Sequence, residues 1–212
     1  MSFAIVTSRA ALGLQAPEIQ VEVHLSQGLP ALTIVGLPEA AVREAKDRVR
    51  AAIQCAQFEF PARRITINPA PAVRPKDGGR VDLASALGIL AASGQIDRDA
   101  LAGCEFLGEL GLTGELRPVD GVLPAVLAAA RDGRRLVVPA GSGAEAALAR
   151  GAEAYLARTL LEACAELGVR RIVCDAGLKA EGLTGLTLTA GVEVAGIATF
   201  LDAVGDGQIV TL

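Results

Sequence analysis

Tryptophan is absent from these 212 residues, which hold one tyrosine and five phenylalanines. The core must therefore be aliphatic, and the aromatic platforms on which single-stranded nucleic acid stacks are nearly missing, so an RRM-like or OB-like reader is not expected. Histidine occurs once, at His24, and the four cysteines, Cys55, Cys104, Cys164 and Cys174, lie far apart with no Cys-x-x-Cys among them. That inventory excludes a conventional zinc site and argues against direct metal chelation, and the thiols read as buried and reduced. No Gly-x4-Gly-Lys-Ser/Thr is present, so the residues that position phosphates and magnesium in a P-loop enzyme are lacking and no ATP hydrolysis is expected. No apolar run reaches ~18 residues and no basic-then-apolar leader opens the chain, which points to a cytoplasmic protein with no membrane partner.

What is present is small and apolar. Alanine (40) and glycine (24) make up about three tenths of the chain; 51% of residues are hydrophobic, 21% are charged, and the formal charge is −4. This composition requires a packed core and excludes wholesale disorder. Strict alternation over Glu18–Leu25 puts Ile19, Val21, Val23 and Leu25 on one strand face and leaves His24 on the polar one. Residues 31–35 then read as the returning strand of a hairpin, and Pro38 opens a helix through Ile53. A strand over 64–68 precedes a proline-rich loop, 69–79, and an apolar helix with a polar start and an aliphatic stripe covers 81–93. A second hairpin spans 106–119. From there helices (122–132, 144–150, 159–167) alternate with strands (135–139, 154–156), the pattern of an α/β layer with a partly parallel sheet. After Gly168 the texture changes: residues 170–174 read as a strand, but the Gly- and Thr-rich stretch from Leu183 to Gly196 fits neither period cleanly.

Charge is uneven. Between Arg43 and Arg80 nine basic residues face four acidic ones inside an acidic protein. The helical part, 43–50, mixes signs at i,i+4 spacing and reads first as a solvated, ion-paired face. Arg63/Arg64 and Arg74/Lys76/Arg80 are less compensated and suit either DNA phosphates or a protein contact. Arg43, Lys46, Arg50, Arg63, Arg64, Arg74, Lys76 and Arg80 are thus the candidate binding residues. The glycine pair before the 81–93 helix suits an anion site or a tight turn of positive φ. Asp82 is expected to support that helix start through the dipole by ~0.3–1 kcal/mol, with Arg80 facing a partner or anion.

Several segments, taken in order, resemble a known family: Gly28–Glu39, Val42–Ile53, Ile65–Pro71, Pro75–Leu83 and Gly108–Arg117 look like the N-terminal domain of the magnesium-chelatase-like AAA+ ATPases of the ComM/YifB type. The resemblance covers residues 1 to about 167. It implies a Lon-protease-like α/β (α+β) domain, 1–168, with mixed sheet and packed helices, followed by an extension, 169–212. It also implies an AAA+ motor in full-length members, hexameric helicases that act in DNA branch migration during natural transformation. ATP and magnesium are expected only for that motor.

A Lon-type protease would need a serine and a lysine where this chain has Arg80 and Leu123, so no catalytic residues are expected. Two hypotheses follow. One is a non-catalytic binding or assembly module whose partners are DNA, bound weakly and without sequence preference, an AAA+ motor domain, or a second copy. The other is a Lon-like hydrolase with a displaced dyad involving Ser85 or Ser93.

Overall fold

A computed structural model describes residues 2–36, 39–71, 78–152, 154–183, 185, 187–188 and 192–204. The chain divides into two compact units, Met1–Leu167 and Gly168–Leu212.

Unit 1 is a mixed α/β fold. Its strands are β1 (Ser2–Arg9), β2 (Glu18–Ser26), β3 (Ala31–Ile34), β4 (Arg64–Ala70), β5 (Cys104–Phe106), β6 (Glu109–Leu110), β7 (Leu116–Arg117), β8 (Arg135–Pro139) and β9 (Ala154–Ala157). Its helices are α1 (Glu39–Cys55), α2 (Asp82–Ser93), α3 (Val122–Arg131), α4 (Gly143–Ala146) and α5 (Leu160–Glu166). Seven strands form one sheet in the order β3-β4-β2-β1-β5-β8-β9. β2 is antiparallel to both β1 and β4, and the other pairs are parallel.

The alternation read from Glu18–Leu25 is realised: Ile19, Val21, Val23 and Leu25 are buried while Glu22 and His24 are half-buried on the opposite face. The expected hairpin of β2 with β3 does not form. β4 lies between them, antiparallel to β2 and parallel to β3, so residues 31–34 are an edge strand from which α1 carries the chain back to β4. The expected loop at Pro69 is also strand, since β4 runs on to Ala70. Val35 N donates to Ile67 O at 2.9 Å, so the polar backbone atoms of Ile67 and, two residues on, Pro69 point to the β3 side. β3 ends opposite Ile67, and the N–H that proline lacks would have met no partner there.

Helix α2 departs from the expected stripe: every residue from Asp82 to Ala92 is buried. A helix that is apolar all round has no solvent face to keep, and α2 fills the centre of the unit. At Gly88 an added Cβ would stand 2.5 Å from Val23 Cγ2, so only glycine lets the helix lie this close to β2. Gly94 closes the helix in the left-handed conformation. On the other sheet face Leu136 and Val138 of β8 pack with Val122, Ala125, Val126 and Ala129 of α3, and neighbouring β5 is buried throughout. Phe3 and Ile5 of β1 remain about half exposed. The second hairpin is present as β6 with β7, and the 144–150 helix is shorter than expected, confined to α4.

Unit 2 holds β10 (Arg171–Cys174), α6 (Asp175–Ala180), β11 (Val192–Ala195) and α7 (Ile197–Val204), with β10 and β11 paired in parallel. Among the described residues no helix is long and apolar enough to cross a membrane.

Candidate functional site

The nine basic residues from Arg43 to Arg80 separate into two groups. Arg48 and Arg80 are spent inside the molecule. Arg43, Arg50, Arg63 and Arg64 are exposed and Lys46 is half-buried, and among the described residues none of these five forms an ion pair with a carboxylate. The i,i+4 compensation expected along α1 reduces to one contact, Arg48 with Glu44 at 3.6 Å. Residues 43, 46 and 50 share one side of α1 by helical spacing. Arg50 lies over the Phe60 ring, 4.6 Å from its centroid, three residues before Arg63. Arg74 and Lys76 lie outside the described residues.

Arg80 is turned inward, contrary to its expected orientation towards a partner or anion, and is 4% exposed. Its Nε donates to Arg9 O at 2.6 Å, its Nη1 to Asp120 O and its Nη2 to Gly121 O at 3.3 Å. The guanidinium thereby ties the end of β1 to the turn before α3. Beside it Arg9 forms two bonds with Glu105, at 2.6 and 2.7 Å, and others with Ala16 O and the Asp132 carboxylate. Arg134 reaches Glu105 at 3.5 Å and Glu18 at 3.0 Å.

Asp82 stands in the first turn of α2 but is 1% exposed, so an exposed helix-dipole contact does not describe it. Its Oδ2 accepts from Arg48 Nε at 2.7 Å and from Leu110 N at 3.4 Å, and its Oδ1 is buried without a donor among the described residues. Burial pushes the carboxyl up to about 7; Arg48 and the Leu110 amide pull it down, and Glu109 adds to the rise. Gly79 does not need positive φ. A Cβ there would stand 2.1 Å from Glu109 Oε2, so the glycine makes room for that carboxylate, which pairs with Arg117 at 3.2 Å.

Leu123, where the resemblance implies a Lon-type base, donates its amide to Glu145 at 3.0 Å. Ser85 is buried on α2, and among the described residues no hydrogen bond joins it or Ser93 to a lysine or to His24. His24 lies in register with Phe3 and Thr66 on the partly open sheet face. Cys104 and Cys164 are buried as expected, but Cys55 is exposed and Cys174 partly so. Among the described residues no three His, Cys, Asp or Glu side chains gather as a metal site. Sequence reasoning missed the inward roles of Arg9, Arg48, Arg80 and Glu105. The signal was the helix that follows Arg80: with no polar face to turn outward, it forces the ions at its head inside with it.

Comparison with known proteins gives a consistent picture. The family model described as subunit ChlI of Mg-chelatase matches residues 21–142. Competence protein ComM of Haemophilus influenzae is 55% identical over 162 residues, covering 76% of this chain and 32% of that protein. The uncharacterized protein YifB of Escherichia coli is 50% identical over 167 residues, covering 79% and 33%. An uncharacterized protein of Mycobacterium tuberculosis is 38% identical over 209 residues, covering 98% and 40%, a match that takes in unit 2 as well. The chain thus spans about a third of the length of the first two.

Proposed function

The chain belongs to the family of the Mg-chelatase subunit ChlI, with ComM and YifB among its relatives, and on that premise we propose that it is a non-catalytic binding and assembly module that meets a polyanion through α1 and the start of β4. The observation that carries this reading is the division among the cations. Those inside the unit are paired, whereas among the described residues Arg43, Lys46, Arg50, Arg63 and Arg64 hold no carboxylate. Other exposed arginines, such as Arg98 and Arg150, also lack one, but in a protein of net charge −4 the five between 43 and 64 form a cluster that gives a local site for phosphates. The name of the Haemophilus relative points to competence, so DNA is the polyanion we assign, bound weakly and without base readout, in the cytoplasm. Where an AAA+ motor accompanies the module, ATP and magnesium belong to the motor. The non-catalytic reading rests on Arg80, a guanidinium engaged by three carbonyls where a Lon-type protease needs a hydroxyl.

The test is duplex binding followed against salt. With about 3–5 phosphates neutralised, affinity falls by roughly one to three powers of ten between about 50 and 200 mM salt, and joint charge reversal at Arg43, Arg50, Arg63 and Arg64 abolishes binding with the fold intact. Absence of binding at low salt, or a reversed variant that still binds, overturns the reading. Labelling by an activated-serine probe that is lost in Ser85→Ala would establish the hydrolase alternative instead.

A further inference from the structure

The head of α2 meets α1 and β6 through one carboxyl group. Asp82 Oδ2 receives Arg48 Nε from α1 and the Leu110 amide from β6, while Oδ1 is enclosed and, among the described residues, has no donor. A carboxylate in that position gives up the hydration of one oxygen and recovers nothing for it, whereas the uncharged acid has far less hydration to lose. The geometry therefore opposes ionisation from one side only.

We propose that Asp82 is a proton-operated latch on the joint between α1, α2 and β6: uncharged, it lets the three elements close over it, and ionised, it draws water to Oδ1 and loosens them. Among the described residues, charged groups reach it from several elements. From α1 comes Arg48, with Glu44 behind it at 3.6 Å; from β6 comes Glu109, itself held by Arg117 of β7 at 3.2 Å. In its own turn Arg80 is committed to the carbonyls of Arg9, Asp120 and Gly121, and on β1 Arg9 is committed to Glu105. Arg48 keeps Glu44 when Asp82 is neutral, so protonation does not strand a bare cation.

The direction follows from linkage. The carboxyl is raised by burial from 3.8 to about 7 in the folded protein, so between those values the folded state holds a proton that the unfolded state has released. The contribution of this group to stability is complete below about pH 4 and is lost as pH rises through 7. Within that window the unfolding equilibrium constant climbs by up to about tenfold per pH unit.

Carbon-13 titration of the aspartate carboxyls in the folded wild-type chain is the test, with hydrogen exchange of the Leu110 amide alongside. A carboxyl resonance assigned to Asp82 that moves near pH 7, together with faster Leu110 exchange above that pH after correction for the intrinsic rate, supports the latch. In Asp82→Asn the exchange change disappears and the pH slope of unfolding between 5 and 7 flattens. Titration of Asp82 below pH 5, or a variant with the wild-type slope, overturns it. Should Asp82→Asn fail to fold, the wild-type titration decides alone. None of these readouts involves DNA, so they stand or fall apart from the binding surface.

Discussion

Two arginine–carboxylate pairs with buried acids sit in the same unit and are built in opposite ways. In Arg9–Glu105 both carboxylate oxygens are engaged, at 2.6 and 2.7 Å, Arg134 adds a contact at 3.5 Å, and Arg9 spends a further donor on Ala16 O. In Arg48–Asp82, among the described residues, one oxygen carries every bond and the other has none. Burial is nearly the same for the two acids, so accessibility does not separate them. Saturation does: a carboxylate with all its acceptors filled is a fixed structural charge, whereas one left half-satisfied remains poised to take a proton.

Removing the charge from the saturated pair is expected to have the largest effect. Glu105→Gln keeps the shape but leaves Arg9 buried against a neutral amide, and should cost about 3–5 kcal/mol in denaturant unfolding at neutral pH. A loss below about 1 kcal/mol would mean that Asp132 alone neutralises Arg9. Next comes Arg80→Met, which strips the donors from three carbonyls; about 2–3 kcal/mol is expected in denaturant unfolding.

Arg48→Met sharpens the contrast. Near pH 5, where Asp82 is neutral, the change should cost about 1 kcal/mol or less. Near pH 8 it should cost about 2–3 kcal/mol, and the titration of Asp82 should move upward, because its cation is gone. Equal losses at both pH values would show that Asp82 is ionised throughout. The smallest effect is assigned to Arg117→Ala. Its pair with Glu109 is largely exposed, so stability should change by ~0–1 kcal/mol, detectable mainly at low salt.

How much of this was legible in the sequence depends on how far apart the interacting residues lie. The face of β2 could be read residue by residue, because alternation is local. That β4 would enter between β2 and β3 could not, since alternation tells which side a residue faces and nothing about which strand lies next to it. The same limit applies to charge. Arg80 reads as surface because its acceptors are backbone carbonyls at residues 9, 120 and 121, which carry no side-chain signature. Arg48 reads as one member of an ion-paired helix face because Asp82 is 34 positions away. The five unpaired cations were visible as a cluster, but only the coordinates show that the acids interspersed with them leave them uncompensated.

The placement of β4 also imposes an order on assembly. When Ala31–Ile34 is synthesised its only strand neighbour does not yet exist; 36 residues separate Ile34 from the end of β4 at Ala70. At ordinary ribosomal rates that interval lasts on the order of 2–7 s. During it a Leu-Thr-Ile segment has bare edges on both sides, while β1 and β2 can already zip together. The strand is four residues long, with Gly28 and Pro30 before it and Gly36 after it. Such a short stretch, interrupted at each end, offers little template to a neighbouring nascent chain, and its brevity serves as protection while it waits.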